Sequence, residues 1–341
     1  MLTCSVVGAT GYTGAELIRL LSKHPRVKIA HLTTRSEEKI KASALVHGLG
    51  KLTDYVIEKK NLKQVAHDSD VVFLALPHTG AMEVLPQFLK ENKIVIDLSA
   101  DFRLKSAKMF ETWYGTKHTK PSLLRDSVYG LPEAFRSKIQ QADLIANPGC
   151  YPTGAILGLF PLVKRKWIDF SSVVIDSKSG VSGTGKKLSA ATHFSEVNEN
   201  FGAYKVNQHQ HMPEIAQTLK EISGGAEVDF TFVPHLLPVT RGILSTIYVK
   251  RRAGIKPSQI LEAFENDYRG EPFVRFRGEG IFPNLRDVQY TNFCDIGVRT
   301  DSKTSQVIVI TAIDNLLKGA SGQAVQSMNI RCGFAEETAL L

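Results

Sequence analysis

The run N-P-G-C-Y-P-T, residues 147–153, places a cysteine between a Pro-Gly pair and a Tyr-Pro pair, directly ahead of an apolar stretch. Pro148 and Gly149 end the preceding segment, and Pro152 is typical of the first turn of a helix. Cys150 is therefore predicted at a helix N-terminus, where the dipole lowers a thiol pKa and N–H groups stabilise an oxyanion. This setting indicates a nucleophile, and the alternative is a small, buried, inert cysteine.

Two histidines are candidates for the acid and base that such a nucleophile needs. His209 and His211 lie in N-Q-H-Q-H-M-P-E-I, just before a helix that Pro213 opens. Histidine exchanges protons near neutral pH, so either side chain could serve the oxygen of a thiohemiacetal. A metal-binding pair is one alternative, although the sequence offers no evident third ligand, and a structural histidine is another.

Three further residues are candidates for binding an anionic substrate. Arg103 in S-A-D-F-R-L and Arg241 in P-V-T-R-G-I are suited to bidentate contacts with phosphate, and each could instead belong to a structural ion pair. Ser179 belongs to S-K-S-G-V-S-G-T-G-K-K, residues 177–187, which predicts an anion nest or a flexible cover. A solvated linker is the alternative for that segment.

A glycine-rich turn follows the first predicted strand and opens a helix. It reads G-A-T-G-Y-T-G, with glycines three residues apart, and departs from the usual G-x-G-x-x-G. Glycine permits a tight turn and lets backbone N–H groups approach a pyrophosphate, whose charge the helix N-terminus favours. Turn punctuation is the alternative, but the strand–turn–helix order favours a dinucleotide site. The predicted cofactor-binding residues of this turn are Gly8, Thr10, Gly11, Tyr12, Thr13 and Gly14.

The end of the second predicted strand distinguishes between the nicotinamide dinucleotides. An NAD enzyme usually has Asp or Glu there, which binds the ribose 2′-OH. Here Arg35 and Ser36 occupy that place, so we predict that they bind the 2′-phosphate of NADP(H), with a solvated arginine as the alternative. Pro77 follows the VVFLAL strand at an edge where ligands bind, and is also predicted beside the cofactor.

A cysteine thiolate acting with a nicotinamide indicates one reaction. The thiolate attacks an aldehyde, a hydride leaves for NADP, and phosphate cleaves the thioester to an acyl phosphate. The reverse direction, from acyl phosphate and NADPH to aldehyde and inorganic phosphate, uses the same groups.

The apolar pattern predicts two domains that hold these residues. Residues 1–149 alternate apolar strands with amphipathic helices, which indicates a doubly wound parallel sheet of the Rossmann type. Beyond Cys150 come one helix and longer alternating strand-like runs, typical of an antiparallel or mixed sheet. We therefore predict an α/β protein with a second, α+β domain. The final segment, GASGQAVQSMNIRCGF, is predicted to be helical.

Length and composition narrow the class further. The 341 residues favour two domains, and 43% hydrophobic with 22% charged residues is typical of soluble globular proteins. No apolar run reaches the ~20 residues that cross a bilayer, and the N-terminus lacks a signal-peptide pattern. The basic residues behind the net charge of +8 are scattered, which argues against nucleic acid and suits acidic small molecules. The four cysteines lack metal-ligand spacing, which favours a reducing cytoplasm and no metal site.

Five motifs together resemble the N-acetyl-gamma-glutamyl-phosphate reductases. They are N-P-G-C-Y-P-T, G-A-T-G-Y-T-G-A-E-L, D-L-S-A-D-F-R-L, H-Q-H-M-P-E-I and D-N-L-L-K-G-A-S-G-Q-A-V-Q. The resemblance covers nearly the whole chain and implies reduction of N-acetyl-L-glutamyl 5-phosphate to the 5-semialdehyde and phosphate. It implies a cysteine thioester, NADPH as the reductant, a place in arginine biosynthesis, and a homodimer or homotetramer.

The resemblance also implies roles for single residues. Cys150 is implied as the nucleophile, and His211, in preference to His209, as the acid/base. Arg103 resembles a phosphate-binding arginine of the related aspartate-semialdehyde dehydrogenases, and Asn147 corresponds to an asparagine close to the acyl group in that wider superfamily.

The family architecture implies how the domains are divided. An NADP-binding Rossmann domain, 1–149, is completed by a C-terminal helix, 315–341. A glyceraldehyde-phosphate-dehydrogenase-like catalytic and dimerisation domain spans 150–314. This arrangement implies that Asn315 and Gly319 lie near the nicotinamide.

Three other functions are compatible with the same residues. A sister reductase of aminoadipyl or aspartyl phosphate would share the chemistry and differ only in its pocket. A non-catalytic NADP-binding regulator would tolerate loss of Cys150 without loss of function. A thiol-redox protein would need a resolving cysteine, and none lies nearby in the sequence.

Overall fold

The computed structural model describes residues 1–46 and 55–341. The chain divides into two compact units, Met1–Gly149 with Ala320–Leu341 (unit 1) and Cys150–Gly319 (unit 2). The chain therefore leaves unit 1 directly before Cys150 and returns to it at Ala320, beyond the expected return at 315.

A parallel sheet of apolar strands forms the centre of unit 1. In chain order its elements are β1 (Leu2–Val7), α1 (Tyr12–Leu21), β2 (Val27–Thr33), β3 (Ile40–Lys41), α2 (Ala42–Leu45), β4 (Val56–Glu58), α3 (Leu62–His67), β5 (Val71–Leu74), α4 (Gly80–Lys90), β6 (Ile94–Asp97), α5 (Ala107–Tyr114), β7 (Val128–Tyr129), α6 (Pro132–Ile139) and β8 (Leu144–Ala146). Within the described residues, eight strands form one sheet in the order β3-β4-β2-β1-β5-β6-β8-β7. Neighbouring strands run parallel except β3 and β4, which are antiparallel.

Burial in unit 1 follows the sequence pattern. Every residue of β5 is buried, as expected for a strand whose two faces are both covered. In α1 the buried apolar residues Leu17, Ile18 and Leu21 recur at helical spacing and face the sheet side of the helix. These elements fix the turn that joins β1 to α1.

Unit 2 is built on a mixed sheet. In chain order its elements are α7 (Cys150–Lys164), β9 (Val173–Gly180), α8 (Phe194–Val197), β10 (Gly202–Ala203), α9 (Met212–Ile222), β11 (Phe230–Leu237), β12 (Ile243–Lys250), α10 (Pro257–Tyr268), β13 (Val274–Glu279), β14 (Cys294–Thr300) and β15 (Gln306–Ile313). Among the described residues, seven strands form the order β10-β11-β9-β12-β15-β14-β13. The β9–β11 and β13–β14 pairs are parallel and the other pairs are antiparallel.

Helix α7 lies close to this sheet because glycines face it. A Cβ on Gly158 would come within 2.6 Å of Ile247 Cδ1, and one on Gly154 within 3.1 Å of Thr311 Oγ1. Buried and half-buried residues alternate along β12, so one face of the strand packs under α7 and the other points away from it. The start of α7 is therefore held at a fixed height over the sheet.

The last helix belongs to unit 1 again. A π-helical turn, Leu317–Ser321, follows β15 and leads into α11 (Gly322–Arg331), which contacts α1 and α6. The predicted fold class, a doubly wound parallel sheet with a second domain on a mixed sheet, is confirmed. No helix in residues 1–46 or 55–341 combines the length and apolarity needed to cross a membrane.

Candidate active site

In the glycine turn of unit 1, neighbouring atoms of the protein leave no room for a side chain at two of the glycines. Gly8 has φ +91°, and a Cβ there would lie 2.5 Å from the carbonyl oxygen of Ala75. A Cβ on Gly14 would lie 2.6 Å from the carbonyl oxygen of Ala9. Gly8 therefore permits the tight turn after β1, and Gly14 permits the close approach of α1 to that turn.

Gly11 differs, because a Cβ there would meet no described atom within 4 Å. It is the N-cap of α1, has extended backbone, and carries no side-chain capping bond. The space ahead of this helix N-terminus is open, which suits the close approach of a pyrophosphate. Thr10 and Thr13 beside it are half-buried, and Tyr12 is 40% exposed. The glycine positions thus fit a dinucleotide despite the altered spacing.

Arg35 lies just beyond the end of β2 and is exposed. Its Nη2 is 3.3 Å from Glu83 Oε2 in the first turn of α4, and both side chains are 70% exposed. An exposed pair of this kind contributes little and is easily exchanged for a phosphate. Ser36 is also exposed, its N–H donating to Thr34 Oγ1 at 3.2 Å. Pro77 is exposed beyond β5, with its carbonyl accepting the Gly80 N–H.

Arg103 is buried and bound to main-chain carbonyls of unit 1. Its Nε donates to Asn147 O at 2.8 Å and its Nη2 donates to Leu98 O at 2.9 Å. Those carbonyls follow β8 and β6, so the guanidinium joins the carboxyl ends of two neighbouring strands. Asn147 donates from Nδ2 to Ala320 O at 3.1 Å, and its buried Oδ1 has no hydrogen-bond partner among the described residues.

Asp101, two residues before Arg103, is a residue that the sequence analysis did not single out. Its buried carboxylate accepts the N–H groups of Thr79, Ala81 and Met82 at 2.6, 3.0 and 3.1 Å, and so caps the N-terminus of α4. Thr79 has φ +75°, a left-handed conformation that this cap helps to hold. The acidic residue two positions before the arginine in S-A-D-F-R was the sequence signal that could have identified Asp101.

Cys150 is the first residue of α7, as Pro148-Gly149 before it and Pro152 after it predicted, and its side chain is half-buried. The other three cysteines are set differently. Cys4 and Cys294 are buried, burial raises the pKa of the Cys4 thiol, and burial raises the pKa of Cys332 to about 11. The helix start therefore distinguishes Cys150 from every other thiol in the chain.

The two histidines lie close together in unit 2 but are not equivalent. His209 is 9% exposed, and burial, together with the charge of Lys205, lowers its pKa to about 4. Its Nδ1 accepts the backbone N–H of His211 at 3.1 Å. His211 is half-buried, lies at the N-cap position of α9 without a side-chain capping bond, and has its ring centroid 4.7 Å from that of His209. His209 is thus a neutral support, and His211 is the more accessible ring.

Tyr151 connects the start of α7 to these histidines. Its ring lies edge-on to those of His209 and His211, with centroid distances of 5.3 and 5.9 Å. The hydroxyl lies 3.1 Å from Tyr204 Oη and donates to His235 O at 3.3 Å. Burial, and then the neighbouring Tyr204, raises the pKa of Tyr151, so it stays a neutral packing and hydrogen-bonding group. The residue after Cys150 therefore fixes where the histidine rings lie.

The predicted anion-binding residues of unit 2 are buried. Ser179 donates from Oγ to Gly180 O at 3.0 Å, close under the turn that begins at Val181. Arg241 pairs with buried Asp314 through Nε and Nη2, at 3.0 and 3.1 Å, and lies 4.6 Å from the ring centroid of Tyr290. The structural ion pair weighed for Arg241 is therefore present.

Two other predicted residues, Asn315 and Gly319, lie after β15 and belong to unit 2. Asn315 accepts the Gly242 N–H at 2.7 Å and donates to Ser182 Oγ at 2.9 Å. A Cβ on Gly319 would lie 2.9 Å from the Cβ of Cys150. Asn315 therefore contacts Gly242 and Ser182, and Gly319 lies against the candidate nucleophile Cys150. Among the described residues, no cluster of three or more His, Cys, Asp or Glu is arranged to hold a metal ion.

Two family models match the chain. The one described as "Semialdehyde dehydrogenase, NAD binding domain" matches residues 3–142. The one described as "Semialdehyde dehydrogenase, dimerisation domain" matches residues 150–315. Together they account for most of both units.

Full-length relatives are similar in sequence. The chain is 52% identical over 336 residues to a protein of Pelotomaculum thermopropionicum named N-acetyl-gamma-glutamyl-phosphate reductase, covering 98% of this chain and 96% of that one. It is 48% identical to a protein of the same name from Geobacter sp. strain M21, covering 100% and 98% of the two chains.

Solved structures share the fold at low identity. Aspartate semialdehyde dehydrogenase II of Vibrio cholerae, complexed with ASA, superposes with a TM-score of 0.72 at 16% identity, covering 98% of each chain. The aspartate semialdehyde dehydrogenase of Candida albicans with NADP gives a TM-score of 0.68 at 17% identity, covering 97% and 98%. These likenesses establish the fold of this chain.

Proposed function

The chain belongs to the N-acetyl-gamma-glutamyl-phosphate reductase family, and on that premise we propose how its residues carry out the reaction. It is an oxidoreductase that reduces N-acetyl-L-glutamyl 5-phosphate to N-acetyl-L-glutamate 5-semialdehyde and inorganic phosphate, a step of arginine biosynthesis. Its cofactor is NADP(H). The single observation that supports the residue roles best is the place of Cys150 at the start of α7.

Cys150 acts as the nucleophile. Its thiolate attacks the acyl carbon, the bond from that carbon to the phosphate oxygen breaks, and inorganic phosphate leaves behind a thioester. The N-terminus of α7 stabilises both the sulfur anion before attack and the oxyanion that forms during it. When bound, NADPH supplies the hydride that reduces the thioester carbon to a thiohemiacetal.

His211 acts as the acid and base in this scheme. It protonates the oxygen of the thiohemiacetal and takes that proton back as the carbon–sulfur bond breaks, which releases the semialdehyde and the thiolate. The support for His211 over His209 is that His209 is buried, has a pKa of about 4, and already accepts an N–H at Nδ1. A histidine that is neutral at pH 7 and committed to a main-chain bond orients its neighbour better than it shuttles protons.

We assign the binding of the substrate's phosphate and carboxylate to four of the predicted residues, Arg103, Asn147, Arg241 and Ser179. In support of Arg103, its guanidinium is held by two carbonyls at the carboxyl ends of β6 and β8, the edge at which open α/β sheets bind ligands. The unsatisfied buried Oδ1 of Asn147 supports a contact with the substrate.

The cofactor is assigned to unit 1. The turn Gly8–Gly14 receives the pyrophosphate, with Gly11 leaving room for it at the N-terminus of α1. Arg35 and Ser36 bind the 2′-phosphate, and Pro77 lines the neighbouring strand end. The exposed guanidinium of Arg35, whose partner Glu83 is equally exposed, supports this assignment.

We also propose a cytoplasmic homodimer or homotetramer. The matched dimerisation-domain model supports self-association through unit 2. On the face of the sheet that points away from α7, half-buried Leu244, Tyr248, Ile308 and Ile310 lie side by side on β12 and β15. Such an apolar sheet face is suited to packing against the same face of a second copy. The four cysteines form no disulfide, which supports a reducing compartment.

A substrate panel tests the proposed function. The purified protein is incubated with NADP, inorganic phosphate and, in turn, the semialdehydes of N-acetylglutamate, aspartate and aminoadipate, and NADPH formation is followed by absorbance. We expect the N-acetylglutamate semialdehyde to give the highest kcat/KM by at least about 100-fold. A preference for either other aldehyde would assign the chain to a sister reaction, and no turnover with any would support a binding protein.

A further inference from the structure

We infer that Asp101 is a positioning residue shared by the predicted cofactor-binding and substrate-binding residues of unit 1. Its side chain holds the start of α4 beside Arg35, and its main chain belongs to the turn that carries Arg103. Because this role takes Arg35 and Arg103 as residues that bind the 2′-phosphate and the substrate, it rests on the proposed function. One buried carboxylate thus sets the affinity for both NADPH and the acyl phosphate.

The carboxylate of Asp101 fixes the first turn of α4. It is fully buried; Oδ1 accepts the N–H of Thr79 at 2.6 Å, and Oδ2 accepts the N–H groups of Ala81 and Met82 at 3.0 and 3.1 Å. Thr79 has φ +75°, a conformation that is costly for a β-branched residue and persists only where its surroundings hold it. Both carboxylate oxygens are therefore used to hold the chain as it enters the helix.

The turn of α4 that Asp101 holds lies beside Arg35. A Cβ on Gly80 would come within 3.5 Å of Arg35 Nη2, and Glu83 in the same turn of helix pairs with that guanidinium. Gly80 directly follows Thr79, so a displacement of Thr79 moves this turn relative to the guanidinium. The affinity for the group that Arg35 binds therefore depends on Asp101.

The main chain of Asp101 fixes the turn that ends at Arg103. Its N–H donates to Ser99 Oγ at 3.1 Å. That hydroxyl donates to the buried carboxylate of Asp97 at 2.8 Å, which also accepts the Ser99 N–H at 2.9 Å. The N–H of Arg103 donates to the carbonyl oxygen of Ala100 at 3.3 Å and closes the turn. The arginine therefore follows a turn that is bonded on both sides of Asp101.

Two histidines reinforce this connection. His78, which directly precedes Thr79, accepts the N–H of Ala100 at Nδ1, at 3.2 Å. His118 is buried, and its Nδ1 accepts a main-chain N–H, so its Nε2 carries the proton that the carbonyl oxygen of Asp101 accepts at 2.8 Å. The segments 77–82 and 99–103 are therefore joined at Asp101 and again at His78, and a change at Asp101 acts on both.

The full-length variant Asp101→Asn tests the shared role, because it keeps the size of the side chain and replaces one acceptor oxygen by an NH2 group that cannot accept an N–H. We expect KM for the acyl phosphate to rise by about tenfold with kcat within about threefold of the parent value, since substrate binding is loosened. The Kd of NADPH, from fluorescence titration, should rise by about fivefold. That of NADH should stay within about twofold, because only NADPH carries the 2′-phosphate.

Ser106→Ala is a matched control for the loss of a helix cap. Ser106 Oγ accepts the N–H of Met109 at 3.2 Å and caps α5 in the same unit. Its substitution should lower thermal stability without changing KM for the acyl phosphate or the Kd of NADPH.

Ser99→Ala separates the two ends of the connection. It removes the hydroxyl to which the Asp101 N–H donates and leaves the cap on α4 in place. It should raise KM for the acyl phosphate by about threefold and leave the Kd of NADPH unchanged.

A rise in both KM for the acyl phosphate and the Kd of NADPH in Asp101→Asn, with neither change in Ser106→Ala, supports the inference. Loss of thermal stability alone would reduce Asp101 to a structural cap, and a change in only one of the two constants would show that its role is not shared; either result overturns the inference. Should Asp101→Asn fail to fold, Ser99→Ala decides, since an unchanged KM there would also overturn it. An inactive parent protein would contradict the proposed function, whereas an active parent with unaffected variants would contradict only the inference.

Discussion

Two glycine-containing turns of this protein follow strands, one in each unit, and they use glycine in opposite ways. At Gly11 in unit 1 the missing side chain leaves open space ahead of a helix N-terminus. At Gly319 in unit 2 the missing side chain leaves room that Cys150 of the same chain fills. Beside the second turn the side chains are bonded to one another, since Asp314 pairs with Arg241 and Asn315 donates to Ser182.

The difference indicates how a glycine in a functional motif should be assigned. Where a Cβ would meet nothing, the constraint comes from something that binds, and substitution should alter affinity without altering the fold. Where a Cβ would meet the protein, the constraint is internal, and substitution should alter the position of whatever lies there. Cofactor binding is thus assigned to the open glycine turn of unit 1, and the attack on the acyl carbon to Cys150 of unit 2.

The largest effect is expected at the nucleophile. Cys150→Ser should lower kcat by at least about 10⁴-fold, because a serine hydroxyl at a helix start is far less ionised than a thiol. The Kd of NADPH should be unchanged, since no residue of the glycine turn is altered. Turnover of the variant above about 1% of the parent value would show that a group other than Cys150 attacks the substrate.

The next effect concerns the stability of the fold and comes from the buried side chain of His209 in unit 2. Burial lowers the pKa of His209 to about 4, below the value near 6.5 that it has when unfolded. The unfolded chain therefore binds the proton more tightly, and stability is lost as pH falls from about 6.5 to about 4, by up to about 3 kcal/mol. His209→Gln, which keeps an acceptor near the His211 N–H, should be free of this loss.

Urea unfolding of the parent and of His209→Gln between about pH 4 and pH 8 measures this loss of stability. The quantity compared is the difference in free energy of unfolding between variant and parent at each pH. The difference is needed because Asp97, whose pKa burial and Asp101 raise to about 7, acts in the opposite direction. For a carboxyl with a raised pKa, stability falls as pH rises towards that value. A pH-independent difference would show that the pKa of His209 is the same in the folded and unfolded protein.

A third prediction contrasts Gly8 and Gly11, two glycines of the turn that joins β1 to α1. Gly11→Ala should lower the free energy of unfolding by no more than about 1 kcal/mol, the cost of alanine at an N-cap, because the new Cβ meets no described atom within 4 Å. The same substitution should raise the Kd of NADPH by about 30-fold, because the methyl group occupies space that the pyrophosphate needs. Gly8→Ala should instead destabilise the fold by about 2 kcal/mol, since φ is +91° and Ala75 O lies 2.5 Å away. Equal effects of the two substitutions on stability would contradict the distinction.

The smallest effect is expected at the end of β2. Arg35→Ala should raise the Kd of NADPH by about tenfold and leave that of NADH within about twofold, because only NADPH carries the 2′-phosphate. Stability should not change, since the pair with Glu83 is exposed. A comparable loss for NADH would place Arg35 against a part of the cofactor that both dinucleotides share.

Much of the fold could be predicted from the sequence because its signals are local. The final segment GASGQAVQSMNIRCGF, predicted to be helical, contains α11, and Pro152 lies in the first turn of α7 as expected. The roles of Gly8 and Gly14 survive the altered spacing because strand, turn and helix follow each other directly. The prediction that Cys150 begins a helix rests on the same kind of local signal.

What could not be predicted depends on contacts between distant segments. Nothing in the sequence around Arg241 announces Asp314 as its partner, 73 residues away. The sequence around Asn315 likewise gives no sign that its amide joins Ser182 to Gly242, or that Gly319 touches Cys150. The choice between His209 and His211 was open in the sequence, because burial and the acceptor bond at Nδ1 arise only in the folded chain.

The most direct test of the account is to trap the acyl group. The protein is mixed with N-acetyl-L-glutamyl 5-phosphate in the absence of NADPH, quenched in acid, digested, and examined by mass spectrometry, with phosphate release measured in parallel. The account predicts one acyl group per chain on the peptide that contains Cys150, and a matching amount of phosphate. Phosphate release without an acylated Cys150 peptide, or an acyl group on another residue, would contradict it.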